Sequence, residues 1–271
     1  MRFTLPRGYL SASSIGMLLN CPKQFEFRYV KGLVIPPGAA LVTGSAMHKT
    51  LEAYYKDAMN GGARLTGKQA AELAVSSLDD LLGSQENTVT KDEREDAIDS
   101  LTGLAELYVD NIAKDIVPLA VEEEVHWTTP GGVPMLAYVD LRRLKDDDEV
   151  GICDYKITTK KWTKSKLENS LQFNLYSMMT EIGDIEIHNM IKGTHRAKFA
   201  VKEAEEGVKD YGAGMRVLHH VFDGGQNKHM IDLIESAARL ITSGVFMPCA
   251  LDSWCCSPEW CGYWNLCRGK R

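Results

Sequence analysis

Apolar positions recur at helical spacing through the first third of the chain. Over residues 11–30, Ile15, Leu18 and Leu19 form one stripe and Phe25 to Tyr29 add an aromatic one, which predicts a helix with Ser11 or Ser13 as its cap. Pro36-Pro37-Gly38 breaks the pattern. A second helix is predicted from about residue 45 to 59, with His48, Glu52 and Tyr55 on one face and Gly61-Gly62 at its end. Thr66-Gly67-Lys68-Gln69 and Thr90-Lys91-Asp92-Glu93 read as capping boxes. The first opens a helix carrying Leu73, Leu78 and Leu81 and stopped at Gly83; the second opens one carrying Ile98, Leu101, Leu104 and Leu107. Residues 63–114 therefore read as a helical insert that adds core and shape.

The period then changes from helix to strand. Residues 121–127, 135–144 and 150–155 are short and rich in β-formers. Gly131-Gly132 separates the first two, and Lys145-Asp146-Asp147-Asp148 makes a polar turn before the third, so an antiparallel meander is expected. A helix follows over about 165–179, with Leu167, Leu171, Leu175 and Met178 at helical spacing. Ile185, Ile187 and Asn189-Met190-Ile191 suggest a returning strand, while residues 195–224 fit neither period. Residues 227–242 read as a helix with Met230, Leu233, Ile234, Ala237 and Ile241 inward and Gly244 near its end. No internal repeat or low-complexity linker interrupts this order, and one domain over residues 1–271 is expected.

Composition narrows the class. The chain is 44% hydrophobic and 25% charged, which argues against a disordered or fibrous protein. No apolar run approaches the roughly 18 residues that span a bilayer, and residues 1–14 lack the apolar core of a signal peptide. No membrane partner and a cytoplasmic location, in a bacterial or phage-infected cell, are therefore expected. The net charge of −6 argues against a generic nucleic-acid coat but leaves room for a local basic groove. Of seven cysteines, Cys21 and Cys153 stand alone, whereas Cys249, Cys255, Cys256, Cys261 and Cys267 crowd together. A secreted disulfide scaffold would spread its cysteines, so a metal or iron–sulfur site is the better first reading.

Four features carry chemistry. Gly44-Ser45-Ala46-Met47-His48 opens a helix; Asp140 lies on the second strand; Asp154-Tyr155-Lys156 ends the third; Gln172 and Tyr176 lie one turn apart on the next helix. Strand residues i and i+2 share a face, so Asp154 and Lys156 project into one site that Asp140 can reach from the neighbouring strand. Two carboxylates and a backbone carbonyl suit Mg²⁺ or Mn²⁺, and His48 adds a nitrogen ligand more natural to Mn²⁺. Such a cation activates water and neutralises a phosphoryl oxygen. Lys156 is placed to orient the water or stabilise the transition state. Each feature alone has an ordinary reading: Asp-x-Lys arises by chance, a helix histidine is commonly packed, Asp140 fits a sheet end, and Gln172 with Tyr176 fits a polar helix face. Their order and placement together point to phosphodiester hydrolysis.

This set resembles the PD-(D/E)xK nuclease superfamily, in its RecB-like exonuclease branch. The resemblance implies an α/β, restriction-endonuclease-like core, a central mixed sheet flanked by helices, with a helical insertion and an iron–sulfur-stapled C-terminal tail. It implies His48, Asp140, Asp154 and the backbone carbonyl of Tyr155 as metal ligands, Lys156 as the catalytic lysine, and Gln172 and Tyr176 as residues that support the site and contact DNA. Several RecB-like nucleases, among them the CRISPR adaptation nucleases and AddB nuclease domains, hold an iron–sulfur cluster on one N-terminal and three C-terminal cysteines. By that resemblance Cys21, Cys256, Cys261 and Cys267 would hold a 4Fe-4S cluster, with residues 249–271 packing on the first helix. Cys255 is the alternative third ligand, and Cys249 and Cys153 are read as bystanders. A four-cysteine zinc site is the competing metal.

Residues 155–166, YKITTKKWTKSK, bring Lys160, Lys161, Lys164 and Lys166 around Trp162. Ammonium groups with an interleaved indole suit a single strand of DNA; a solvated loop is the plainer reading. Arg268-Gly269-Lys270-Arg271 either extends this strip or forms a tail. The leading expectation is a Mg²⁺- or Mn²⁺-dependent DNA exonuclease acting at ends in replication, recombination or repair. The alternative is a DNA-binding or adaptor subunit of a recombination or spacer-acquisition complex. No G-x-x-x-x-G-K-[ST] loop is present, so unwinding would need a helicase or recombination partner. One of Glu122, Glu123 and Glu124 is a candidate further carboxylate, and the sequence does not say which.

Overall fold

The computed structural model describes residues 3–84, 86–145 and 148–269. Asp146 and Asp147 of the predicted turn, and Lys270 and Arg271 of the basic tail, lie outside them. Seven strands form one mixed sheet: β1 (Val117–Thr128), β2 (Pro134–Leu144), β3 (Val150–Thr158), β4 (Asp184–Ile191), β5 (Phe199–Glu205), β6 (Val208–Gly212) and β7 (Met215–Val221), in the order β1-β2-β3-β4-β7-β6-β5. The first three strands are the expected antiparallel meander. β4 runs parallel to β3. A parallel pair needs a crossover, and α6 (Lys164–Glu168) with α7 (Leu171–Thr180) supplies it.

The sheet is covered on both faces. Strand alternation sends Cys153 and Tyr155 to one face, where they share a core with α3 (Ala39–Met59), α4 (Gly67–Ser84) and α5 (Lys91–Asn111). Ile152, Ile185 and Ile187 turn to the other face and pack on Phe173 and Tyr176 of α7. α1 (Ala12–Asn20) and α8 (Asn227–Ser243) join α7 there through Ile15, Leu18, Leu175, Ile234 and Ala238. The α/β architecture, a mixed sheet flanked by helices, is the one the resemblance implied. The helices of residues 63–114 belong to the same core as the sheet: Leu101, Leu104 and Tyr108 are fully buried beside Tyr155. Reciprocal caps at Thr66/Gln69 and Thr90/Glu93 start them as expected.

Three local expectations are corrected. The helix over 11–30 is broken at Cys21, which is extended (φ −158°, ψ 103°); after it come α2 (Pro22–Phe25) and a π-helical turn (Glu26–Val30). Pro22 is the cause, because a residue before proline is driven out of the helical region. The helix over 165–179 divides at the extended Ser170 into α6 and α7. Residues 195–224 form β5, β6 and β7; their pattern is hidden because β5 is almost wholly exposed and has no apolar face to show. Ala213 and Gly214, both at positive φ, make the β6–β7 turn, as hairpin geometry requires.

Candidate active site

The site forms where two strands part. The β2–β3 ladder ends at the pair Leu141–Cys153. Beyond it the Asp140 carboxylate takes the place of the missing strand partner, its Oδ2 accepting from the Tyr155 N–H at 2.9 Å. Asp154 follows on β3, fully buried, and Lys156 pairs with its Oδ2. From α7, Gln172 Nε2 donates to Asp154 Oδ1 at 3.0 Å and to the Tyr176 hydroxyl at 2.8 Å. The Tyr176 hydroxyl in turn donates to the Tyr138 carbonyl.

His48 enters from α3. Its Nε2 donates to the Tyr155 carbonyl at 3.1 Å, and its Nδ1 lies 3.5 Å from Asp140 Oδ2 and 3.9 Å from Glu122 Oε1. Glu122 stands out on β1 because its φ is +50°, and it falls opposite Asp140 in the register. This answers which of the three glutamates faces the site. Glu123 pairs with Arg142 at 2.7 Å, and Glu124 takes His126 at 2.6 Å and the Tyr138 hydroxyl at 3.1 Å. The signal available in sequence was register alone: Glu122 is the residue that meets Asp140 across the meander.

The electrostatics describe a place built for a cation. Burial lowers the His48 imidazole, but hydrogen bonds to Asp140 and Glu122 and the charges of Asp140 and Asp154 outweigh it and hold the pKa at about 10. Burial pushes Asp154 up to about 6; the Lys156 charge opposes this and the Asp140 charge adds to it. Asp154 Oδ2 is buried and has an ion pair but no well-directed hydrogen bond. His48, Glu122 and Asp140 present ligand atoms within 4.8 Å of one another. Three carboxylates, a backbone carbonyl and one imidazole match the donors that Mg²⁺ and Mn²⁺ take, so the residues fit a divalent ion.

The lysine strip is placed less simply. Lys160, Lys161 and Lys166 are exposed, Lys164 is half-buried, and Lys161 pairs with Asp210 at 3.1 Å. Trp162 corrects the expectation of a base-stacking indole. It is 7% exposed and lies edge-on to Phe173, its N–H backbone group bound to Asn189 Oδ1 and its ring covered by the Lys166 ammonium at 4.0 Å.

The cysteines converge from both ends of the described chain. Cys21, Cys255, Cys256, Cys261 and Cys267 line one small cavity together with Phe27 and Tyr263. Cys249 also lines it: its N–H points to Cys21 Sγ at 3.4 Å and its sulfur lies 3.7 Å from that of Cys255. That separation is far beyond a disulfide bond, and all seven cysteines are free thiols. Cys153 is buried in the core away from them. Burial raises the Cys21 thiol, yet hydrogen bonding to Cys249 and the backbone N–H groups of Gln24 and Lys23 prevails and lowers it. Donors aimed at a sulfur at a helix break favour a thiolate, the form that binds metal.

A sheet whose parting strands present Asp140, Asp154 and Lys156, flanked by a helix-borne histidine, defines a metal-dependent nuclease. The family model of the PD-(D/E)XK nuclease superfamily matches residues 9–268, and the chain belongs to that superfamily. No curated protein matches the chain.

Proposed function

We propose that this nuclease is a Mg²⁺- or Mn²⁺-dependent DNA exonuclease that hydrolyses phosphodiester bonds at DNA ends in replication, recombination or repair. The observation that carries the reading is the convergence of His48, Asp140, Asp154 and Lys156 at the parting of β2 and β3. His48, Asp140, Asp154 and the Tyr155 carbonyl would hold the metal, with Glu122 in reach. A bound divalent ion supplies a water of lowered pKa and neutralises charge on the scissile phosphate. Lys156 lies beside Asp154 and would meet the attacking water or the phosphoryl oxygen. Gln172 and Tyr176 fix the carboxylate of Asp154 and the β2 backbone in register. Lys160, Lys161, Lys164 and Lys166 offer cations for the phosphates of the approaching strand.

The tail is read as the seat of a 4Fe-4S cluster held by Cys21, Cys256, Cys261 and Cys267, a staple between the tail and α1. The cavity of thiols and the lowered Cys21 support this. No helix of the described residues is long and apolar enough to cross a membrane. A helicase or recombination partner would deliver ends.

The test uses anaerobically purified protein, end-labelled linear single-stranded DNA and a closed circular single strand, with Mn²⁺, with chelator, and with Asp154→Ala. Metal-dependent loss of the linear strand that spares the circle and is absent in the variant is the expected result. Cutting of the circle replaces the exonuclease with an endonuclease. No cleavage by protein that keeps its cluster moves the reading to a subunit that acts only with a partner.

A further inference from the structure

A cleft of about 440 Å³ opens directly beside the catalytic residues. Gln172 and Tyr176 line it together with Arg7, Tyr9, Ser13 and Tyr138. This size falls in the range of clefts that enclose a small organic ligand. Tyr138 lies two residues before Asp140 on β2. The Tyr138 ring is 49% exposed although the strand around it is buried. Its orientation is set at both ends: its carbonyl accepts from Tyr176, and its hydroxyl donates to Glu124 Oε2 at 3.1 Å. The Arg7 guanidinium lies 4.7 Å from the centre of the Tyr9 ring and also contacts the Tyr9 hydroxyl.

A half-exposed aromatic ring, held at its hydroxyl by Glu124, stands two residues from Asp140. A cation, Arg7, and a second ring, Tyr9, line the same cleft. Flat apolar surfaces interleaved with positive charge are what an unpaired nucleic-acid strand requires, since each base offers a face and each phosphate a charge. A second cleft is lined by His48 and Glu122.

We propose that the Arg7–Tyr9–Tyr138 cleft holds the single-stranded segment immediately beside the scissile phosphate, with Tyr138 stacked on a nucleobase and Arg7 against a phosphate. This rests on the nuclease reading and adds the element that orients the strand. It also replaces the role that the buried Trp162 cannot fill.

The test is the binding of a short fluorescent oligothymidylate in chelator, where no cleavage occurs, followed by anisotropy. Tyr138→Ala should weaken binding about 5- to 100-fold, and Tyr138→Phe should keep it. Arg7→Ala should weaken binding and reduce the salt slope by about 0.7. A 2-aminopurine scanned along the strand should be quenched at one position by the wild type and by Tyr138→Phe, and not by Tyr138→Ala. Circular dichroism melting checks that each variant is folded. Unchanged affinity and quenching in folded variants of a protein that still cleaves DNA would overturn the cleft and leave the nuclease standing. A wild-type protein that neither binds nor cleaves nucleic acid would overturn both.

Discussion

The side-chain amide of Gln172 donates to Asp154 Oδ1 at 3.0 Å, across the boundary between α7 and β3. One amide therefore decides which oxygen of a fully buried carboxylate is spoken for, and leaves Oδ2 to Lys156. Gln172→Ala should lower kcat about 10- to 100-fold, equivalent to about 1–3 kcal/mol for an unmade hydrogen bond to a buried charged group. KM should rise as well, because Gln172 also lines the cleft proposed to hold the strand. Steady-state kinetics on a linear strand separates the two parameters.

Asp154 should oppose stability and function to each other. Its folded pKa of about 6 lies above the unfolded value near 3.8. The folded protein therefore binds this proton more tightly than the unfolded chain does. The group costs nothing below pH about 4, its cost grows as pH rises to about 6, and it is constant above that. In metal-free protein near neutral pH, Asp154→Asn should raise stability by about 1–3 kcal/mol, while abolishing cleavage. The gain in Tm should vanish when the melts are repeated near pH 4.

Metal dependence follows from the position of His48. In the metal-free site its imidazolium stands among Asp140, Glu122 and Asp154 and supplies the cation they demand. Divalent metal must displace that proton, so metal affinity should rise steeply with pH. His48→Ala should raise the Mn²⁺ concentration for half-maximal activity about tenfold or more. Isothermal titration with Mn²⁺ measures this without turnover.

Beneath the site, Tyr108 ties α5 to β4. Its hydroxyl lies 2.6 Å from His188 Nδ1 and 3.3 Å from the Tyr55 hydroxyl, all three side chains being buried. Tyr108→Phe leaves that imidazole nitrogen without its partner and should destabilise the protein by about 1–3 kcal/mol. Cleavage by the folded variant should be unchanged. A denaturant melt with an unaltered slope is the check.

In the tail, serine variants should divide the cysteines. If Cys21, Cys256, Cys261 and Cys267 hold the cluster, each change to Ser removes the broad visible absorbance and the bound iron, while Cys249→Ser and Cys255→Ser keep both. The contact between Cys249 and Cys255 makes this pair the one to measure first, by iron content per chain. A colourless protein with stoichiometric zinc would replace the cluster with a zinc staple.

Much of this was readable from pattern. Helices with an apolar stripe and a cap, such as α4, α5 and α8, and strands with a buried face, such as β2 and β3, follow from periodicity because burial dictates residue type there. Asp140, Asp154 and Lys156 were placed because strand alternation fixes which side chains share a face. What escaped depends on contacts distant in sequence. Glu122 required the β1–β2 register, Cys249 the path of the tail, and Tyr138 the contact of Tyr176 with β2. β5 to β7 escaped because an exposed edge hairpin carries no apolar alternation. Trp162 misled because a basic surrounding was read as exposure, whereas Phe173 and the Lys166 stem cover the ring.

The break at Cys21 has a consequence in time. The sulfur pocket is lined by both Cys21 and Cys249, which lie 228 residues apart. At about 5–20 residues per second, a ribosome takes roughly ten to forty-five seconds to make that span. Throughout that interval the Cys21 thiol has emerged without its enclosure, and α1 has no tail to anchor it. The closing of the pocket therefore records that the intervening sheet has been made, and a chain that stops before Cys249 cannot form that enclosure.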